Sequence, residues 1–370
     1  MGRASRRCFA AFAVALALVP VRAVAQEEPA PSPSPPTPRS FTVAATGDIL
    51  LHKTVWSAAA RYGRASAQRF DFRPMFAEVR PVLSAADLAI CHLETPIAPA
   101  FAPLSSYPSF GVPAEIAQAI AWAGYDRCST ASNHSLDRGK PGIDRTLDVL
   151  DAQGVGHSGT ARNAAEAAPQ VFEVNGVRVS HLSYTYWFNG YRLWKDQPWR
   201  ANQIDPARIV ADAATARSLG AEYVIVSLHW GTEGLSTANA YQKAVAAAVT
   251  ASGQIDLVLG HHAHVVQPIA VVNGHWVAYG LSNFLSGMFP TGRAGPRVAD
   301  GMIVQFRITE RPEGGFNTSA PSVVPTWVQQ WSYVVTPTAQ RGDLRWSAYV
   351  RRLLGASEAR TRRVVGPYVV

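Results

Sequence analysis

The sequence is short of charge, of cysteine and of long apolar runs. Only 16% of its 370 residues are charged. With the arginines at positions 3, 6, 7 and 22 set aside, thirty basic residues face twenty-six acidic ones, a net charge of +4. So mild a basic excess, without an aromatic and basic RNA-binding motif, does not point to nucleic acid, while it suits an anionic substrate or polymer. Beyond Val21 no stretch reaches the roughly eighteen consecutive apolar residues of a membrane helix, so no permanent span is expected. Of the three cysteines only Cys91 and Cys128 lie beyond the first 25 residues, each expected near the end of a strand. In an oxidising compartment they bridge if those strands are neighbours; otherwise they fit as small buried thiols.

The first 25 residues read as a secretory signal. Met1 to Arg7 is basic, Cys8 to Val21 is apolar, and Ala23-Val24-Ala25 offers a small-residue cleavage site before Gln26. Export to the periplasm or the exterior is expected. Ser5-Arg6-Arg7-Cys8-Phe9 also fits a twin-arginine signal, which leaves the export route open between the two systems. Residues 26–40 form a linker in which positions 29 to 38 hold six prolines, an extended spacer. The folded domain is expected over 41–310. Residues 311–370 then form a C-terminal extension, packed on the domain or partly mobile, with strands in Ser322 to Thr336 and a helix over Leu344 to Leu354.

Within 41–310, apolar runs of strand length alternate with helical patterns. Strands are expected at Phe41 to Ala45, Asp87 to Ile90, Tyr125 to Ser129, Glu222 to Leu228 and Ile255 to Leu259. Helices are expected at Pro74 to Leu83, Pro113 to Ala123, Gly142 to Ala152, Pro206 to Leu219 and Ala238 to Ser252. Two hairpins turn at Asn175-Gly176 and Asn273-Gly274. This alternation implies an α/β fold with a mainly parallel sheet, whose strand carboxyl ends line one ligand-binding edge.

A metal-capable side chain stands at the end of one expected strand after another: Asp48, Glu94, Asn133 with His134, His229, and His262 with His264. Taken singly, each has a plain alternative as a turn residue, a cap or a core histidine. Their recurrence at one structural position favours a common site. In Gly260-His-His-Ala-His264, an extended backbone sends His262 and His264 to one side and turns His261 away behind them. Two carboxylates, an amide and several imidazoles are too many for one tetrahedral zinc, but they suit two divalent ions (manganese, zinc or iron) about 4 Å apart, with Glu94 or Asp48 between them.

Thr46-Gly-Asp-Ile-Leu-Leu51, His92-Leu-Glu-Thr-Pro-Ile97, Ala131-Ser-Asn-His-Ser-Leu-Asp137, Gly154-Val-Gly-His-Ser-Gly159, Ser227-Leu-His-Trp-Gly231 and Gly260-His-His-Ala-His-Val265 through Tyr279-Gly-Leu-Ser-Asn-Phe284 together resemble the CapA family of poly-gamma-glutamate capsule biosynthesis. The resemblance covers residues 41 to 308. It implies a layered αββα sandwich of the metallophosphoesterase type, with the metal site at the strand carboxyl ends. It also implies Asp48, Glu94, Asn133, His229, His262 and His264 as metal ligands, Glu94 standing where a bridging aspartate would be, and His134 with Asp48 as catalytic groups. His52, His261, Asn283, Trp230 and Tyr184 are expected around that shell or against the substrate. The sequence departs from the wider phosphoesterase pattern at Leu50, where an Asp-x-His motif would place histidine, and at Glu94 itself.

Two activities follow from these parts. One is metal-assisted hydrolysis of a phosphoester, with His134 protonating the leaving oxygen. The other is polymer binding and guidance during capsule synthesis, without turnover, alongside other envelope assembly proteins at the membrane. The run Tyr184, Tyr186, Trp187, Tyr191, Arg192, Trp194, Lys195, Trp199 and Arg200 is the densest aromatic and basic cluster; it either lines a groove for an anionic polymer or packs as a surface loop.

Overall fold

The computed structural model describes Met1, residues 9–11 and 13–17, and residues 37–370. The expected cleavage site at Ala25-Gln26 and positions 29–36 of the proline-rich spacer lie outside the described residues. The chain divides into two units, Met1–Thr37 and Pro38–Val370, and the second carries the fold described below. Among the described residues no helix is long and apolar enough to cross a membrane.

Strands β1 (Ser40–Leu50), β2 (Leu88–Leu93), β3 (Arg127–Ser129) and β4 (Gly156–Ser158) run parallel in that order in a first sheet. Strands β5 (Phe172–Val174), β6 (Val177–Thr185), β7 (Tyr223–His229), β8 (Leu257–His261), β9 (Ile269–Val272) and β10 (His275–Ala278) build a second sheet in the order β5-β6-β7-β8-β10-β9. The chain then returns to the first sheet. There, on the side of β1 away from β2, β12 (Asp300–Glu310) pairs antiparallel with its first half and β11 (Asn283–Ser286) pairs parallel with its last residues. Strands β13 (Phe316–Thr318) and β14 (Ser322–Val328) pair with β12, and β15 (Val335–Pro337) closes the edge on β14. Residues 311–370 are thus built into the first sheet, and their helix covers it. The second sheet has a parallel centre with an antiparallel strand at each margin, whereas the first is parallel from β1 to its β4 edge and antiparallel only on the β12, β14 and β15 side.

Alternation along the strands explains why the sheets stack. Phe41, Val43 and Ala45 of β1 and Leu88 and Ile90 of β2 face Val179, Tyr223, Ile225, Leu257 and Leu259 of the second sheet in one apolar layer. The intervening Ala44, Ala89 and Cys91 face the opposite way, onto helices α1 (Lys53–Gly63), α2 (Arg73–Phe76), α3 (Arg80–Leu83) and α4 (Glu115–Ala123). Helix α5 (Gly139–Ala152) follows the loop after β3. On the far side, Val224, Val226 and Leu228 pack on α6 (Pro206–Ser218) and α7 (Ala240–Thr250). With α8 (Ala348–Val365) on the first sheet, the layers run helix, sheet, sheet, helix, the αββα sandwich, as period-2 strands and amphipathic helices require.

Local chemistry sets the boundaries. The helix expected over Pro74 to Leu83 is two short helices, because Pro81 has no N–H to donate and its ring collides with the carbonyl four residues back. Helix α6 starts on Asp205, whose side chain accepts from Ala207 N–H, and α7 on an Asn239–Gln242 capping box. Both hairpin turns take the left-handed pair, Asn175 at φ 48° with Gly176 at 75°, and Asn273 at 49° with Gly274 at 82°. Cys91 and Cys128 face each other across β2 and β3 and form a disulfide.

Candidate metal centre

The apolar layer between the sheets turns polar at the strands' carboxyl ends without changing its alternation. Leu88 and Ile90 are followed at the same period by His92 and Glu94, Ile225 by Ser227 and His229, and Leu257 and Leu259 by His261. All four of His92, Glu94, His229 and His261 are buried at 1% exposure or less. Asp48 joins them through a register shift in β1 between Ala45 and Asp48, a bulge that re-aims the strand end. Gly47 permits it: a Cβ there would lie 2.0 Å from the Ser282 carbonyl oxygen, against which the Asp48 N–H donates at 2.8 Å.

The backbone leaves the extended path straight after β8. His262 has φ 85° and His264 φ 54°, both in the left-handed region that non-glycine residues rarely occupy, a strain often found at functional sites. Consequently His261 does not turn away behind the other two, as an extended backbone would make it. Its Nδ1 lies 3.5 Å from Asp48 Oδ1, and its ring stacks on His92 at 4.1 Å and 15°. The His262 N–H points at Asp48 Oδ2 at 3.2 Å. His264 Nδ1 lies 3.0 Å from Asp48 Oδ2 and 3.1 Å from Asn283 Oδ1. Two acceptors there hold the proton on Nδ1 and leave Nε2 for Glu94 Oε1, 3.8 Å away.

Glu94 stands between two imidazoles. Its Oε1 is 3.8 Å from His264 Nε2 and 4.0 Å from His229 Nε2, and His229 Nε2 is 2.9 Å from Asn133 Oδ1. Neither Glu94 oxygen has a hydrogen-bond partner, nor does His262 Nδ1. Donor atoms about 3–4 Å apart are what two ligands of one ion show when each bond is about 2.0–2.2 Å. Asp48, Glu94 and His264 form one such group, and Glu233, His262 and His264 another. The donor set therefore fits divalent cations: a fully buried carboxylate with both oxygens bare costs several kcal/mol unless a positive charge meets it.

The electrostatics agree. Burial, with the Asp48 charge beside it, pushes Glu94 well above the usual carboxylate range, against the pull of His264. Burial would also raise Asp48, but the His261 and His264 imidazoles beside it hold it far below. Burial would lower His264, yet the Glu94 and Asp48 carboxylates push it up to about 10. Burial lowers His262 to about 3, with like charge from His264 adding to it, and His229 well below its ordinary value. His262 and His229 are thereby kept neutral and available as ligands, whereas an ion at His264 would displace the proton that the two carboxylates hold there.

His134 sits on the loop after β3, its Nδ1 2.8 Å from Asp137 Oδ2, which also accepts the Phe110 N–H at 2.7 Å. Ser132 anchors that loop to β2 by donating to the Glu94 carbonyl at 2.6 Å. His52 is one ring removed, edge-on to Phe110, which is edge-on to His134; burial lowers it to about 4. Trp230 and Tyr184, expected around the shell, are not brought there. Strand alternation turns both to the helix-covered outer layer, where Trp230 Nε1 donates to the Tyr279 carbonyl and the Tyr184 hydroxyl to Asp212.

The aromatic and basic run divides. Tyr186 lies 4.7 Å from the His262 ring, and Asn189 Oδ1 accepts from Asn133 Nδ2 at 3.2 Å. Trp187 and Tyr191 are exposed, Trp194 lies under Lys140, and Arg200 is buried against Asp144. Sequence reasoning missed His92, Asn189 and Glu233 as members of this neighbourhood. His92 was legible as the next inward position after Ile90; nothing local marks the other two, which stand on loops, Glu233 four residues beyond His229.

Residues 42–288 match the family described as bacterial capsule synthesis protein PGA_cap. The capsule biosynthesis protein CapA of Bacillus anthracis is 27% identical over 299 residues, 79% of this chain and 68% of that protein. The PGA biosynthesis protein CapA of Bacillus subtilis (strain 168) is 26% identical over 278 residues, 74% of this chain and 69% of that protein. Among solved structures, the calcineurin-like phosphoesterase YfkN from Bacillus subtilis aligns over 88% of this chain and 98% of its own, with a TM-score of 0.48 and 13% identity.

Proposed function

The chain belongs to the bacterial capsule synthesis protein family, and from that premise we propose that it is an exported metal-dependent hydrolase serving the synthesis of an anionic capsule polymer such as poly-gamma-glutamate. The observation that carries this reading is Glu94, fully buried and without hydrogen-bond partners between His264 and His229. Asp48, Glu94, Asn133, His229, His262 and His264 would hold two divalent ions; manganese, zinc and iron all suit imidazole and carboxylate donors. Such ions, when bound, supply positive charge against the negative charge of a phosphoester transition state.

The chain's own residues supply the rest. Asp137 accepts the Nδ1–H of His134 and leaves Nε2 as the free nitrogen, which in its protonated form can donate to a departing oxygen. Asn189 holds Asn133 by its amide and so orients Oδ1 toward His229. Asn283 steadies the His264 ring. The Cys91–Cys128 bridge supports export to an oxidising compartment.

The exposed rings of Trp187 and Tyr191, on the loop that reaches His262, favour a second reading, in which the same protein binds polymer without cleaving it. Metal content per chain separates the two. Residues 26–370 purified without chelator are expected to hold close to two equivalents of transition metal, with a sharp fall in His262→Ala, and to hydrolyse phosphoesters in a substrate screen. No metal in either protein after incubation with manganese or zinc would sink the hydrolase and leave the polymer-binding factor.

A further inference from the structure

Of the imidazoles packed between the two sheets, His92 is engaged at both nitrogens by neutral partners. Its Nδ1 lies 2.7 Å from Ser129 Oγ and its Nε2 2.9 Å from His229 Nδ1. Its ring is fully buried and lies flat against His261 at 4.1 Å. It falls within reach of Asp48 and His261 as a metal-capable group. With both lone-pair directions committed, however, it has no nitrogen left for an ion. What it touches is the back of a ligand: the opposite nitrogen of His229 faces Asn133 Oδ1 at 2.9 Å and Glu94 Oε1 at 4.0 Å.

An imidazole that ligates through Nε2 carries its proton on Nδ1. For His229 that proton points at His92 Nε2, which must accept it. His92 then carries its own proton on Nδ1 and donates to Ser129 Oγ, and the Ser129 hydroxyl donates to the Cys91 carbonyl, 3.3 Å away. Every group in this series has one donor and one acceptor role filled, and the polarity of the whole series is set at its far end by a backbone carbonyl, which can only accept. We propose that His92 is a positioning residue that fixes the tautomer of His229 and presents its Nε2 to a metal ion. This rests on the metal-centre reading above and adds to it a residue that controls ligand quality without ligating.

Zinc binding and histidine nitrogen spectra of the full mature chain test this. In the zinc-loaded wild type, 15N shifts should place the His92 proton on Nδ1 and leave Nε2 as the acceptor; a His92 proton on Nε2 would overturn the proposal. His92→Gln, whose Oε1 falls near the original Nε2, should keep zinc affinity within about threefold, whereas His92→Phe, similar in volume but with no acceptor, should lose about 10- to 100-fold. Equal affinities in the two variants, or equal losses, would overturn it, since a merely space-filling ring predicts no such split. Should His92→Phe fail to fold, the wild-type spectrum and the Gln variant still decide. A wild type that takes up neither zinc nor manganese would instead defeat the metal-centre reading itself.

Discussion

At the residue scale the centre is a set of groups kept in costly states. Glu94 is bare and buried, His262 and His264 sit at positive φ, and His229 is held neutral by burial. His134 is different, because its Asp137 partner satisfies it fully on one side. That division predicts separable roles. His134→Gln should lower the turnover of the best phosphoester by about 10²- to 10⁴-fold while leaving metal content unchanged; steady-state kinetics with metal analysis on the same sample checks it. Unchanged turnover would remove His134 from proton transfer. Much of this set was legible from position alone, since Asp48, Glu94, Asn133, His229, His262 and His264 each stand at or just beyond the carboxyl end of a strand. Glu233 was not, being an exposed loop residue like many others until the fold sets it near His262 and His264.

At the element scale, the strand that carries Asp48 is braced from the C-terminal helix. Arg360 of α8 makes two 2.6 Å bonds to the carboxylate of Asp300, which starts β12 and is 2% exposed. The Asp300 carbonyl accepts from Ser282 Oγ at 2.5 Å, and the Ser282 carbonyl accepts the Asp48 N–H. Arg360→Met should therefore cost about 3–5 kcal/mol, because it strands a buried carboxylate whose pKa burial already raises. Urea unfolding of the metal-free protein measures this, and a loss below about 1 kcal/mol, the range of an exposed pair, would show that the bridge does not brace the sheet. A basic tail was visible in the sequence at Arg351, Arg352, Arg360, Arg362 and Arg363. Which arginine finds a buried partner depends on the face α8 lays on the sheet.

At the scale of the whole molecule, two sheets with separate hydrogen-bond networks meet through one apolar layer and one polar end. The first sheet supplies Asp48 and Glu94, and the second supplies His229 and the three histidines around β8. Their mutual placement is therefore a packing result. The disulfide acts on the first sheet only, closing a loop of 37 residues from β2 to β3. Replacing Cys91 and Cys128 together by alanine should lower stability by about 2–4 kcal/mol through the greater freedom of the unfolded chain. Comparison of denaturant midpoints for the oxidised protein and the double variant checks this, and equal midpoints would mean that strand packing alone holds the pair.

The sequence by itself determined the alternation of strands and helices, the two Asn-Gly hairpins, the strand-end position of six candidate ligands and the pairing potential of two cysteines. These depend on periodicity and turn chemistry, which are local. Tertiary structure alone decided that residues 311–370 complete the first sheet, that His261 turns inward and that Trp230 and Tyr184 turn away. Those outcomes hang on which strands become neighbours and on the left-handed backbone at His262 and His264, where the Asp48 carboxylate from the other sheet meets the His262 N–H.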